Sequence, residues 1–363
     1  MKRSPIICLV IAALILSLTT GCGTPGISTD PSAAPAATAE TAKPVEATEG
    51  TETTETTEGV PFPSKPVSIS IGTGTSGGTL FIFGSGVASV LSASVPNVDL
   101  TVEATQGAGA NIELLRNGSI DMMLSNADMC YEAMYGIGDF EGMEPFEGLR
   151  AIVACYSQKW TCVTLDQNIT DTVQLDGTRI CVNSYMSGAD LGSRKVYGIL
   201  GMDNVDYYNT NYADGINDLY EGRVKADSML TGHPSSPLLE LETKTDINFV
   251  GLTDEQIDLI LENVPYWSRD VIEAGTYKSI TEDMDTVSVW VIICVRDDMD
   301  DDLVYHIVKA IMENNDTMVA THATAKSTIP ENIVNQPIVL HPGAIKYYEE
   351  VGIEIPDKLK PQT

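Results

Sequence analysis

An alternation of strand-like and helical apolar patterns constrains the fold of this chain more than any other feature. A strand-like run at residues 67–71 is followed by apolar residues at the spacing of one helix face over residues 80–91. The strand-like VDLTVEAT, the helical NIELLRN (residues 111–117) and the strand-like DMMLS come next. This β-α-β-α-β order predicts an α/β fold in which helices cover a sheet of parallel strands.

The same pattern begins again after a long apolar run. LRAIVACYSQKWTCVTL is followed by the strand-like TRICVNS and by helical patterns near 189–200 and 213–222. The chain beyond residue 65 is about 300 residues long, which is more than one compact core usually spans. We therefore predict two lobes with a ligand cleft between them. Lobe 1 comprises residues 66–160 and 285–363, and lobe 2 comprises residues 161–284.

The N-terminus indicates export. Lys2 and Arg3 precede an apolar stretch over residues 6–18 that is too short to span a bilayer, which is typical of a secretory signal peptide. Gly21-Cys22 resembles a bacterial lipobox, so residues 1–22 are predicted to be a lipoprotein signal peptide and Cys22 the lipidated residue. Residues 23–65 are rich in Thr, Ala, Pro and Glu, and we predict that they form a disordered acidic tether. The protein is therefore expected outside the cytoplasm, anchored to the membrane by its N-terminal lipid.

Charge and cysteine content exclude several classes of function. A net charge of −30 at pH 7 argues against nucleic-acid binding and against direct binding to anionic lipid. Five of the seven cysteines follow residue 22, and they lie in apolar surroundings without CxxC spacing. We expect buried thiols, and neither a disulfide framework nor a metal site.

The loop after the first strand, GTGTSGG at residues 72–78, fits three catalytic fingerprints at once. It matches the G-x-G-x-x-G of a dinucleotide fold, the G-x-S-x-G of a hydrolase elbow, and a P-loop in which Gly78 replaces the lysine. The P-loop interpretation lacks the ammonium group that binds phosphates. The elbow interpretation lacks an ordered strand before the loop, and no histidine of the chain lies in a recognisable motif. A dinucleotide site is disfavoured because NAD is not expected outside the cell.

A binding role for this loop agrees better with the rest of the chain. The segment 179–189, RICVNSYMSGA, repeats the order of strand, hydroxyl-rich loop and helix. Each helix start offers unpaired N–H groups and a partial positive charge, and open α/β sheets bind ligands at the carboxyl ends of their strands. We therefore expect two such helix starts to line the cleft and to favour a carboxylate or another anion.

The segments GTGTSGGTLFIFGSGVASVL, EATQGAGANIELLRNGSIDMMLSNADMCYEA and LDGTRICVNSYMSGAD resemble the TAXI family. These are the solute-binding receptors of one class of TRAP transporters, and the resemblance continues in order over residues 66–355. It implies a two-lobed periplasmic-binding-protein-like fold that captures a small organic acid, with glutamate-like acids and dicarboxylates among the candidates. It also implies delivery of that ligand to a TRAP membrane permease, without a cofactor and without catalysis. A binding protein of an ABC importer is the alternative.

From the two loops and this resemblance we predict the ligand contacts. Hydroxyls of the first loop and backbone N–H groups of Gly77 and Gly78 are expected to hold the anionic group, the second loop is expected to hold the far side, and two tyrosines are expected to form walls. The predicted ligand-binding residues are Thr73, Thr75, Ser76, Gly77, Gly78, Gly107, Ser125, Asn126, Tyr156, Asn183, Ser187, Gly188 and Tyr277. The chain has Ala189 where the family commonly has a hydroxyl, so the ligand can differ from that of its relatives.

Overall fold

A computed structural model describes residues 59–361 of the chain. The predicted signal peptide, Cys22 and nearly all of the predicted tether lie outside these residues. Within them, no helix combines the length and apolar character needed to cross a membrane.

The described residues contain strands and α-helices in strict alternation through most of their length. The strands are β1 (Val67–Gly72), β2 (Val98–Glu103), β3 (Met122–Asn126), β4 (Leu149–Thr164), β5 (Arg179–Cys181), β6 (Asp206–Tyr208), β7 (Ala226–Thr231), β8 (Asn248–Val250), β9 (Ser268–Ile272) and β10 (Met284–Arg296). The α-helices are α1 (Thr79–Ser94), α2 (Ala108–Arg116), α3 (Ala127–Tyr135), α4 (Gly188–Ile199), α5 (Tyr212–Tyr220), α6 (Ser236–Lys244), α7 (Asp254–Asn263), α8 (Asp301–Glu313), α9 (Asn315–Thr321) and α10 (Pro342–Glu350). Short 3₁₀ helices lie at Gly138–Phe140, Thr172–Leu175, Ala323–Ser327, Pro330–Asn335 and Asp357–Leu359.

One mixed sheet contains both rounds of the strand–helix alternation. The first round runs from β1 to α3 and the second from β5 to α7. Its order is β2-β1-β3-β10-β4-β7-β5-β6, with β8 paired to β4 and β9 paired to β10. β1 pairs in parallel with β2 and β3, and β5 pairs in parallel with β6 and β7. The predicted α/β class and the parallel strands within each round are thus confirmed.

The two long strands, β4 and β10, join the two rounds. β10 is antiparallel to β3 and β4, and β4 is antiparallel to β7. The β4–β10 pairing runs from Leu149↔Arg296 to Lys159↔Ser288, with two register shifts along it. β4 then continues to Thr164 alongside β7, so the long apolar run of the sequence does pass from one round to the other.

The hydrophobic core follows the same division. One cluster of buried side chains comprises residues between 69 and 156 together with residues between 291 and 359. Two further clusters consist of residues between 160 and 289. The five cysteines of the described residues are free and buried within these cores, as their apolar surroundings predicted.

Some element boundaries differ from the sequence pattern. α2 begins at Ala108, three residues before the predicted start, because Gly107 adopts a positive φ of 120° and lets the chain turn directly into the helix. The charged stretch 253–264, which carried no predicted element, forms α7 with a capping box at Thr253 and Gln256. Period and charge alone did not reveal that helix, because few of its residues are buried.

Candidate functional site

A cavity of about 70 Å³ lies where the β1–α1 loop meets the β5–α4 loop. Its walls come from both rounds of the fold, and none of its sixteen lining residues carries a charge. They are Gly74, Thr75, Gly78, Thr79, Leu80, Gln106, Gly107, Gln158, Asn183, Ser184, Ser187, Gly188, Ala189, Tyr212, Leu230 and Thr231. The lining combines hydroxyls, amides and backbone, which suits a polar ligand held by hydrogen bonds.

The start of α1 forms one wall of the cavity. Gly78 is the N-cap residue, no side chain caps the helix, and its first turn has no acidic residue. The Gly78 N–H donates to the Thr75 carbonyl at 3.0 Å, so it is already used within the loop. The N–H groups of Thr79 and Leu80, the first two helical residues, have no protein partner in the described part of the chain. This helix end therefore presents unsatisfied donors and a partial positive charge at the cavity.

The start of α4 forms the opposite wall, and, like α1, it leaves the N–H groups of its first two residues, Gly188 and Ala189, without a partner among the described residues. Ser187 caps the helix by accepting a hydrogen bond from the Asp190 N–H at 3.1 Å. The Asp190 carboxylate accepts from the Met186 N–H at 3.0 Å and from Arg194 Nε at 2.7 Å. The acidic side chain already complements the dipole of α4, so this wall offers an anion less than α1 does.

Glycines let the two walls approach each other closely. The Gly109 N–H donates to the Met186 carbonyl at 3.1 Å, which joins the first turn of α2 to the β5–α4 loop. A Cβ added at Gly109 would lie 2.7 Å from that carbonyl oxygen, and one at Gly188 would lie 2.5 Å from Asn126 Oδ1. At Gly107 it would lie 3.2 Å from the Ser187 Cβ. We call Gly107, Gly109 and Gly188 the glycine seam, because the walls can approach this closely only where there is no side chain.

Asn183 is held in a left-handed conformation, with φ of 67°. Its Nδ2 donates to Asp227 Oδ1 and to the Ser228 carbonyl, both at 3.1 Å. Its Oδ1 is buried and has no partner among the described residues. Burial raises the pKa of Asp227 to about 7, an effect that the charge of Asp218 reinforces and that hydrogen bonds from Cys181 and Asn183 oppose.

Gln158 reaches the cavity from β4, where that strand passes between the two rounds. Its Oε1 accepts from Asn126 Nδ2 at 3.1 Å, so the NH₂ group is the part of this amide that is left to donate. Gln158 is thus a neutral donor in the lining. Thr79 and Thr231 place their hydroxyls 3.2 Å apart and so join the start of α1 to the end of β7.

The structure brings six of the predicted ligand-binding residues together around the cavity. They are Thr75, Gly78, Gly107, Asn183, Ser187 and Gly188. Ser76 and Gly77 are exposed and lie outside the lining.

Five other predicted residues lie behind the walls. The Thr73 hydroxyl donates to the Glu103 carbonyl at 2.7 Å, and the Ser125 hydroxyl donates to the Ala108 carbonyl at 3.0 Å. Asn126 binds Gln158, as described above. Tyr156 lines a neighbouring surface cavity of about 330 Å³, and its hydroxyl has no partner among residues 59–361. Thr73, Ser125 and Asn126 thus support the walls through hydrogen bonds, whereas Tyr156 belongs to a different cavity.

Tyr277 supports the site through a chain of hydrogen bonds. Its hydroxyl accepts from the Ser235 N–H and binds His233 Nδ1, both at 2.7 Å. The Ser235 hydroxyl in turn lies 2.6 Å from that of Tyr212, which lines the cavity. Burial lowers the pKa of His233 to about 3, so the imidazole is neutral in this chain of contacts.

Several lining residues were missed by the sequence analysis. Tyr212, Leu230 and Thr231 come from α5 and from the end of β7, and Gln158 comes from the middle of a long apolar strand. A polar residue inside the run LRAIVACYSQKWTCVTL is the signal that could have identified Gln158. Thr231 gives no such local signal, since its place depends on the pairing of β7 with β4.

A second set of contacts joins the two rounds beside the cavity, along α3 and α4. Lys195 Nζ lies 2.7 Å from Glu132 Oε1, 2.9 Å from Asp139 Oδ2 and 3.8 Å from Asp128 Oδ2. Trp267 Nε1 donates to Asp128 Oδ2 at 2.7 Å. Burial alone would lower the pKa of Lys195, but the three carboxylates raise it above its ordinary value. Burial raises the pKa of Glu132 and the charge of Asp128 adds to this effect, whereas Lys195 opposes it.

The chain matches the model of a known protein family over most of its length. The model of the NMT1-like family matches residues 71–352, which include every strand and α-helix from α1 to α10. The chain belongs to the NMT1-like family.

Solved structures of similar fold cover most of the described residues at low identity. An arginine transport-system periplasmic binding protein from Legionella pneumophila is 13% identical, with 71% of this chain and 99% of that chain covered and a TM-score of 0.43. A probable amino-acid ABC transporter extracellular-binding protein from Bacillus subtilis is 15% identical, with coverages of 72% and 98% and a TM-score of 0.44. The periplasmic aliphatic sulphonate binding protein of Escherichia coli is 11% identical, with coverages of 79% and 84% and a TM-score of 0.43.

Proposed function

We propose that this member of the NMT1-like family is an extracytoplasmic solute-binding receptor that captures a small organic anion, a carboxylate, and delivers it to a TRAP permease. The observation that carries the proposal is the cavity between the starts of α1 and α4. Its lining offers hydrogen-bond donors from Thr75, Gln158 and Thr231, together with the uncapped end of α1. The sequence resemblance to TAXI receptors supports the permease assignment.

The chemistry of the lining favours binding over catalysis. The lining contains no carboxylate, imidazole, ammonium or thiol group that could act as a general acid, general base or activated nucleophile. An anion placed at the α1 end would meet the N–H groups of Thr79 and Leu80 and the hydroxyls beside them. Such a site holds a ligand and leaves its bonds intact.

Native mass spectrometry of freshly purified protein tests this function most directly. We expect a bound organic acid that is released unchanged when the protein is denatured, and the same acid should rebind in calorimetry. Turnover of that compound during incubation would contradict the proposal. Copurification with a large multispan permease supports a TRAP partner, whereas copurification with an ATPase-driven importer supports the ABC alternative.

We also propose that the two lobes of the sequence analysis close on the ligand and that Cys22 anchors the chain by a lipid. The core clusters divide part-way along β4 and β10, which supports the lobes. The Gly21-Cys22 pair supports the anchor. Cys22→Ala should move the protein from the membrane fraction to the soluble extracytoplasmic fraction. Retention of the variant in the membrane fraction would contradict the lipid anchor.

A further inference from the structure

The end of the predicted tether packs against the folded part of the chain. Residues 60–65, VPFPSK, form no regular secondary structure, and a further proline, Pro66, follows them. Val60 packs against the core cluster that β1 and α8 share. The rest of the segment lines a surface cavity of about 460 Å³ together with the first residues of α8. Because proline fixes φ, a segment rich in proline has less conformational freedom to lose when it packs against a surface.

His306 in α8 makes the central contact with this segment. Its Nε2 lies 3.1 Å from the Val60 carbonyl oxygen and 3.0 Å from the Pro61 carbonyl oxygen. Both carbonyl oxygens can only accept, so Nε2 carries a hydrogen and donates it to them. The ring of Phe62 stacks on the imidazole, with centroids 4.1 Å apart and an angle of 18° between the two planes. His306 is buried and Phe62 is half-exposed, so Phe62 forms the outer layer of this stack.

Asn97 holds the segment at a second point, next to the sheet. Its Nδ2 donates to the Pro63 carbonyl at 2.8 Å, and its own carbonyl accepts from the Val67 N–H, also at 2.8 Å. Val67 is the first residue of β1, and the other end of β1 leads into the β1–α1 loop at the cavity. The contacts of His306 and Asn97 are therefore made just before the strand that carries this loop.

We propose that residues 60–65 form a strap that holds the tether against α8 and keeps its movements from reaching β1 and the β1–α1 loop. Without these contacts, the chain that leads to the membrane would pull directly on Val67. With them, the tether leaves the domain beside His306, and a pull on it is borne by α8. The purpose of the strap rests on the proposed lipid anchor and binding site, whereas its docking does not.

Fluorine NMR of the full-length protein labelled with 4-fluorophenylalanine tests the docking. The chain has six phenylalanines, so the Phe62 signal is assigned by its loss in Phe62→Leu. In the unmodified protein this signal should lie away from its position in the denatured protein, because the stacked imidazole shifts it. His306→Ala should return it to the denatured position. Tyr220→Ala is the control, because Tyr220 at 49% is as exposed as Phe62 at 50%, and it should not move the signal. A Phe62 signal at the denatured position in the unmodified protein would overturn the strap and leave the proposed function intact.

Hydrogen exchange measures the consequence for β1. His306→Ala should speed exchange severalfold in a peptide that covers β1, because the strand loses its fixed end at Val67. A peptide that covers β5 is the internal control, since none of the contacts described above involves that strand, and its exchange should not change. If β1 exchanges equally with and without the strap, the strap does not isolate the strand from the tether.

Asn97→Gly is the second variant, and it decides the proposal if His306→Ala does not fold. It removes the amide that binds Pro63, and glycine tolerates the φ of 61° at this position. It should also speed exchange in β1 and move the Phe62 signal toward the denatured position, and no change in either would overturn the proposal. Neither measurement depends on a lipid at Cys22, so failure of the strap and failure of the proposed anchor are distinguishable.

Discussion

At the scale of single residues, Asp227 is the most unusual group of the site, because it is fully buried and ionisable. Its pKa in the folded protein is raised to about 7, mainly by burial, whereas an unfolded chain has an Asp pKa of about 4. Folding therefore takes up a proton between these two values, so this group makes the folded state less stable as the pH rises from about 4 to about 7. Uptake of one proton lowers the free energy of unfolding by at most about 1.4 kcal/mol for each unit by which the pH rises.

Asp227→Asn should remove this pH dependence. The asparagine keeps an acceptor for Asn183 Nδ2 but cannot ionise, so the free energy of unfolding should fall less steeply between pH 5 and pH 7 than in the unmodified protein. Chemical denaturation across that range measures the two slopes. Asp206→Asn serves as control, because the Asp206 side chain is 69% exposed. Identical slopes for Asp227→Asn and the unmodified protein would show that Asp227 is already ionised in the fold.

At the scale of elements, the two strand–loop–helix units at the cavity are the part of the site that local sequence could predict. β1 with α1 and β5 with α4 follow from apolar period and from glycine- and hydroxyl-rich loops, both of which are local signals. Contacts between distant segments give no such signal. The pairing of Asn183 with Asp227 spans 44 residues and that of Thr79 with Thr231 spans 152, and each depends on strand order in the sheet. A correctly predicted loop also does not fix which of its side chains face the ligand. Ser76 lies in the β1–α1 loop, but it is exposed to solvent.

The contact between α2 and the β5–α4 loop gives a prediction at this scale. Gly109 lies in the first turn of α2, where alanine favours the helix by about 0.5–1 kcal/mol. Its Cβ would nevertheless lie 2.7 Å from the Met186 carbonyl oxygen, so the loop has to move away. Gly109→Ala should therefore weaken ligand binding at least tenfold, and it should also lower the melting temperature, because the atom that has to move belongs to the backbone. Calorimetry and a melting curve measure the two effects separately.

Gly198→Ala is the matched control for Gly109→Ala. Gly198 also lies in a helix, α4, but a Cβ there meets nothing within 4 Å. It should raise helix stability by a similar amount and leave affinity unchanged. If Gly109→Ala binds as well as Gly198→Ala, the close approach of the two walls is not required for binding.

At the scale of the whole molecule, the contacts of α4 show how ligand capture and lobe closure would be linked. The N-terminal end of this helix lines the cavity, Leu191 packs against the core cluster of the first round, and Lys195 reaches the carboxylates of α3 and its neighbours. Tyr131 and Tyr266 extend the same contact, with ring centroids 4.3 Å apart. A hinge motion about β4 and β10 that opened the cavity would have to separate all of these groups together. If the lobes close on the ligand as we propose, the ion cluster of Lys195 would favour the closed form.

Lys195→Met tests this link. It removes the ammonium group of α4 that attracts Asp128, Glu132 and Asp139, three carboxylates on α3 or directly after it, so this attraction between α3 and α4 is lost. In small-angle scattering without ligand, the variant should have a larger radius of gyration than the unmodified protein, for which a folded part of about 300 residues contributes about 19 Å. Saturating ligand should reduce the radius of gyration of both proteins. The dissociation constant of the variant should be larger, because part of its binding free energy is used for closure.

Lys244→Met is the control, because it breaks only an exposed pair with Glu240. It should change neither the radius of gyration nor the dissociation constant. If Lys195→Met scatters and binds like Lys244→Met, the cluster stabilises the fold without controlling closure, and the link between α4 and ligand capture has to lie in the glycine seam alone.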